Sequence, residues 1–98
     1  MSRKPYICFS HGKESGPWGS KIAAMADLAR DRGFELDSLD YRGMDDPAAR
    51  VSRLVEHCAS LGRPLVLVGS SMGGHVAAAA SAVLADVRGL FLIAPAFY

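Results

Sequence analysis

Cysteine is scarce in this 98-residue chain, which has only Cys8 and Cys58. Two thiols exclude a disulfide framework as the source of stability. Cys8 falls in a predicted strand and Cys58 in a predicted helix. They read as two buried, reduced thiols rather than a disulfide or a metal pair. An excess of charge of one sign is also missing. Eleven Lys and Arg stand against ten Asp and Glu, a formal charge of +1. That balance gives no electrostatic basis for binding nucleic acid or an anionic membrane surface. No apolar run approaches the roughly 20 residues of a transmembrane helix. The basic start, Met1 to Pro5, is followed only by the short apolar run Tyr6 to Phe9, too little for a signal peptide. A cytoplasmic location is therefore expected. Internal repeats, low-complexity segments and linkers are absent, so the length bounds the chain to one domain or part of one.

What is present is a regular alternation of strand and helix signals. Half of the residues are apolar, enough for a core, although a small domain buries a smaller share of its surface than a large one. Tyr6 to Ser10 reads as a buried strand ending at His11-Gly12. A loop at Gly16 to Gly19 precedes a helix from Ser20 to Arg32, whose residues Ile22, Met25, Ala26 and Ala29 keep the helical period. Gly33 is placed to cap it. Phe34 to Tyr41 forms a second, less regular strand. Asp46-Pro47 opens a second helix as N-cap and first turn, with Val51, Leu54, Val55 and Cys58 as its apolar stripe. Gly62 ends it, and Arg63-Pro64 blocks continuation. Leu65 to Gly69 is a third strand, Met72 to Leu84 a buried helix, and Leu90 to Ala94 a fourth strand closed by Pro95. Such an order predicts an α/β fold: a four-stranded parallel sheet with helices on both faces. Ligands of such sheets bind beyond the carboxyl ends of the strands.

One segment carries chemistry. Gly69-Ser70-Ser71-Met72-Gly73 has the pattern small-x-Ser-x-small between an apolar strand and an apolar helix. That is the setting of a nucleophile elbow. A sharp turn would lift the hydroxyl clear of the sheet, and the helix N-terminus would offer N–H groups to a developing anion. The register selects Ser71, because centring on Ser70 would put Val68 and Met72 at the small positions. Gly69 and Gly73 are expected to be glycine because a side chain would collide across the tight turn. Gly12-Lys13 is not a phosphate loop. Glu14 stands where Ser or Thr is required, and Ile7 where the leading glycine would be. No metal or cofactor is expected.

With the elbow in place, the chain resembles the α/β-hydrolase superfamily, specifically its N-terminal part. Ser10-His11-Gly12-Lys13 is similar to the His-Gly loop of that family. Asp40-Tyr41-Arg42-Gly43 resembles its Asp-x-Arg-Gly segment, and Gly69 to Gly74 its nucleophile motif, with Ser70 replacing a frequent His. The resemblance implies a serine hydrolase acting on an ester or similar acyl bond of a small molecule. Ser71 would be the nucleophile. The backbone N–H groups of Met72 and Lys13 would form the oxyanion hole, with His11, Gly12, Gly69 and Gly73 in support. It also implies a catalytic acid and a histidine later in the chain. After Ser71 only Asp86 and His75 are available, and His75 lies one helical turn on, where its ring should not face the serine hydroxyl.

The acid and base are thus expected from a C-terminal half of the domain. Leu90 to Ala94 should be an exposed apolar edge, covered by that half or by a homo-oligomer partner. Two other possibilities stay open. One is a non-catalytic α/β binding module using the same crevice. The other is an enzyme in which His11, at the carboxyl end of a strand beside the elbow strand, acts as the base. His57 is expected to be structural and partly exposed, and Asp46 to be a helix cap.

Overall fold

The computed structural model describes residues 4–13 and 15–93. Ala94 and Pro95, expected to end the last strand, lie outside them, as does Glu14. The elements run β1 (Tyr6–Ser10), α1 (Ser20–Asp31), β2 (Leu36–Leu39), α2 (Pro47–Leu61), β3 (Leu65–Ser70), α3 (Met72–Ser81) and β4 (Val87–Ile93). All pairings are parallel, in the order β2-β1-β3-β4. Helices cover both faces. Phe9 and Val68 face α1 through Ile22 and Ala26. Cys8 and Leu67, one residue along each strand, face the other side with Leu54, Cys58, Val76, Ala77 and Ala80 of α2 and α3. This alternation follows from the two-residue period of a strand.

The strand order makes a crevice. From β1 the chain leaves over one face through α1, and from β3 it leaves over the opposite face through α3. Two adjacent parallel strands whose crossovers diverge leave a gap at their carboxyl ends, the topological switch point of such sheets. The loop after β1 and the turn after β3 border that gap.

Several ends of the elements differ from expectation. β2 begins at Leu36 rather than Phe34 because Gly33 (φ 82°) and Phe34 close α1. The Gly33 N–H donates to Arg30 O at 2.9 Å and the Phe34 N–H to Ala29 O at 3.0 Å, a Schellman ending. β2 also stops before Tyr41, whose N–H donates to a side chain instead of a strand. α3 ends at Ser81, not Leu84, where the N–H groups of Ala82 and Val83 tighten into bonds three residues back. β4 starts earlier, at Val87, because a register irregularity beside Leu65 and Val66 lets it pair there. The caps of α2 agree with the sequence. Asp46 accepts from the Ala48 N–H at 3.1 Å, and Gly62 is left-handed with φ 59°.

Candidate functional site

Ser71 stands at the turn from β3 into α3, at the carboxyl end of the sheet. Its φ of 57° and ψ of −123° make it the one non-glycine residue with positive φ among the described residues. Such a conformation costs about 1–3 kcal/mol and persists only where its surroundings over-determine it. Two glycines do so. A Cβ at Gly69 would lie 2.2 Å from Gly73 O and 2.5 Å from Gly74 Cα, so the turn folds directly back on the strand. At Gly73 the obstacle is not the turn, as the sequence suggested, but the neighbouring strand. A Cβ there would lie 1.9 Å from Ser10 O and 2.8 Å from His11 O. The first turn of α3 therefore rests on the end of β1. Ser71 is exposed, does not cap α3 with its side chain, and its hydroxyl makes no hydrogen bond among the described residues. Met72 is the first residue of α3, so its N–H has no acceptor within the helix.

The loop after β1 lies against this turn. A Cβ on Gly12 would stand 3.1 Å from Ser71 Cβ and 3.3 Å from Ser70 O, so glycine permits the approach. His11 is fully buried. Its Nε2 accepts from the Tyr41 N–H at 2.8 Å, which leaves the proton on Nδ1 to be donated to Gly12 O at 2.7 Å. Both ring nitrogens are occupied, and neither is free to take a proton from Ser71. Burial holds the imidazole pKa below its ordinary 6.5, so the ring is neutral near pH 7. Tyr41, itself buried, has its hydroxyl 3.0 Å from Ser10 Oγ. Asp40 grips Arg42 with both carboxylate oxygens, at 2.9 and 2.6 Å, and this bonding holds its carboxyl well below the usual range. The Asp-x-Arg-Gly segment is thus a brace for His11 rather than a reacting group.

Arg50 is the residue that sequence reading missed. It is 1% exposed. Nε donates to Met44 O at 2.6 Å, Nη1 points at His11 O (3.3 Å) and Gly12 O (3.5 Å), and the guanidinium lies 5.3 Å from the centre of the Tyr41 ring. The signal was present: Arg50 is four residues before Leu54 and eight before Cys58, on the apolar stripe of α2. A charge on a buried stripe needs partners, and here the partners are loop carbonyls. The consequence falls on Lys13. In a trans peptide the C=O and the following N–H point in opposite directions. With Gly12 O turned towards His11 Nδ1 and Arg50, the Lys13 N–H points away from them.

A cleft of about 350 Å³ opens here, lined by Gly12, Lys13, Ser15, Gly16, Gly19, Ser20, Lys21, Ile22, Ser70 and Ser71. No carboxylate or imidazole is among these lining residues. His75 is exposed on α3 and makes no hydrogen bond to Ser71. Asp86 lies just before β4, at the amino end of the sheet, where its C=O accepts from Leu65 N–H at 2.9 Å. His57 is paired with Asp37 on the far side of β1. Among the described residues the cleft therefore brings together Ser71, Gly12 and Lys13 and leaves His11, His57, His75 and Asp86 outside its lining. Groups able to hold a metal ion, Cys8, Asp37 and His57, also lie apart from it. Among the described residues no helix is long and apolar enough to cross a membrane.

Three comparisons bear on this arrangement. The sequence pattern of the Alpha/beta hydrolase family matches residues 9–98. Monoacylglycerol lipase ABHD6 of Bos taurus is 34% identical over 105 residues, which cover 95% of this chain and 31% of that protein. A crystal structure from Xanthomonas campestris pv. campestris, described as a hydrolase of the alpha/beta superfamily, superposes with a TM-score of 0.84 at 33% identity. The match covers 91% of this chain and 57% of that one. The chain thus spans about a third of the curated relative and rather more than half of the solved one.

Proposed function

The chain belongs to the alpha/beta hydrolase family, and from that premise we propose that it carries the nucleophile and oxyanion hole of a serine hydrolase acting on an ester or similar acyl bond. The observation that carries this reading is Ser71 at φ 57°, exposed beside the cleft, its hydroxyl without a hydrogen bond among the described residues. A non-glycine residue held in a costly conformation at a strand–helix turn marks a functional position. Ser71 Oγ attacks the acyl carbon of a small-molecule substrate. The N–H groups of Met72 and Lys13 receive the oxyanion. Met72 is unpaired by its place in α3, and Lys13 is turned by the bonds that His11 Nδ1 and Arg50 make to Gly12 O. Gly69, Gly73 and Gly12 permit the close approaches; His11 and Arg50 fix the loop.

The base and acid come from residues outside the described part, in a C-terminal half of the domain or a partner chain that adds a strand beside β4. The occupied nitrogens of His11 weigh against an internal dyad. The relative named monoacylglycerol lipase agrees with ester chemistry. The two reduced cysteines are compatible with action in the cytoplasm. A fluorophosphonate probe tests the proposal. With the C-terminal complement present, labelling should be rapid and confined to Ser71, and Ser71→Ala should abolish it. By itself the chain should label very slowly. Labelling that survives Ser71→Ala, or no labelling of the completed protein, would reject the assignment and favour a binding module.

A further inference from the structure

Asp37 is out of place in its strand. Aspartate is depleted from strands, yet Asp37 sits inside β2 between Leu36 and Leu39, as the register partner of Cys8 on β1. Register partners on adjacent strands project from the same face about 4.8 Å apart. That face is the one covered by α2, and α2 sets His57 and Cys58 over it. His57 Nε2 approaches Asp37 Oδ2 at 2.5 Å, and the Tyr6 hydroxyl donates to the same oxygen at 3.1 Å. The other carboxylate oxygen, Oδ1, is buried and has no hydrogen-bond partner among the described residues. A buried carboxylate oxygen without a donor is costly and calls for a cation or a proton donor. Beside it lie the buried Cys8 thiol and, 3.5 Å from that sulfur, Cys58 Sγ.

We propose that Cys8, Asp37 and His57 bind a thiophilic divalent transition-metal ion, of which zinc is the natural member. Their donor atoms all lie within 4.8 Å of one another. Ligands on one tetrahedral zinc stand about 3.3–3.8 Å apart, given bonds of about 2.0–2.3 Å, so the wider separations close while His57 Nε2 and Asp37 Oδ2, 2.5 Å apart without the ion, part to admit it. The sulfur selects against calcium and magnesium, which take oxygen ligands. His57 and Asp37 are 28% and 29% exposed and give the ion a way in, whereas Cys8 forms the closed floor. Binding releases the Cys8 thiol proton to solvent, and the ion takes the place of the direct His57–Asp37 contact. The site ties β1, β2 and α2 together at the β2 edge. It lies apart from Ser71 and is independent of the reaction there.

Cobalt(II) is the probe. Added to the reduced full chain, it should bind one-to-one and give the near-ultraviolet band of thiolate-to-cobalt charge transfer, and zinc should abolish the band by displacing cobalt. Cys8→Ser should remove the band. His57→Gln, at a partly exposed position, should weaken cobalt binding by at least about tenfold while leaving the circular dichroism unchanged. This second variant keeps the test valid if Cys8→Ser fails to fold. His75→Gln, on an exposed histidine elsewhere, should bind as the parent does. The proposal is overturned if the reduced chain shows no charge-transfer band. It is equally overturned if His57→Gln binds like the parent or if His75→Gln removes the binding.

Discussion

β3 has one neighbour on each side, and the two are finished to different degrees. Towards β1, the turn at Ser71, the His11-Gly12 loop and the start of α3 lock together. Gly73 lies against Ser10 and His11 carbonyls, and Arg50, His11 and Tyr41 take up the polar groups of the loop. Towards β4 the same strand pairs with one register irregularity beside Leu65 and Val66, and among the described residues nothing pairs with the far side of β4. Leu90, Phe91 and Leu92 are 38%, 59% and 56% exposed. A hydrolase needs an anion site and a proton carrier. On the proposed reading the donors for the first, the Met72 and Lys13 N–H groups, lie on the β1 side. Among the described residues the β4 side presents an apolar edge and no base. An apolar edge strand is a template for pairing, so the unfinished side is where the rest of the machinery would attach.

The largest test of this contrast is catalytic. Hydrolysis of a simple aryl ester by the 98-residue chain should be on the order of a million-fold slower than by the chain joined to its C-terminal complement. Ordinary turnover by the short chain, abolished in Ser71→Ala, would mean the β1 side holds its own base. Next comes packing. Gly73→Ala should cost more than about 4 kcal/mol, because the obstacle is the Ser10–His11 backbone, which cannot swing aside as a side chain can. Urea denaturation followed by circular dichroism would show this as failure to fold or a collapsed midpoint.

Two arginines give a sharper comparison. Arg50→Met leaves the carbonyls of His11, Gly12 and Met44 short of a donor and should cost about 2–3 kcal/mol. Arg88→Met, which breaks an exposed pair with Asp86 on β4, should leave the denaturation midpoint unchanged. Equal effects would erase the distinction between the two sides.

Acid should find the braced side first. The His11 pKa is lowered on folding, so the unfolded chain takes up the proton more readily. His11 therefore contributes stability that is complete above pH 6.5 and is lost as pH falls through the folded value. The slope would approach about 1.4 kcal/mol per pH unit. His11→Gln should flatten that limb of the stability–pH curve; an unchanged limb would show that His11 is not its source. The smallest effect on folding belongs to the edge. Phe91→Lys with Leu92→Glu should change stability by no more than about 0.5 kcal/mol. It should nonetheless abolish self-association in sedimentation velocity. A parent chain that is already monodisperse and monomeric would instead show that the edge needs no cover.

The fold class, the order of elements and the place of Ser71 at the turn from β3 to α3 were legible in the residues themselves. They rest on local rules: apolar period, capping by Asp46 and Gly62, and small residues two before and two after one serine. Element ends were less legible because Phe34 and Tyr41 spend their N–H groups on a helix cap and an imidazole, contacts no local pattern announces. The role of Arg50 needed the strand order, since only the fold brings α2 beneath a loop nearly forty residues earlier. The reason for Gly73 needed it too, because Ser10 is distant in sequence and 1.9 Å away in space from the missing Cβ. Periodicity is written in neighbours along the chain, whereas a switch point, a turned peptide and a cluster such as Cys8, Asp37 and His57 exist only once separate segments are packed together.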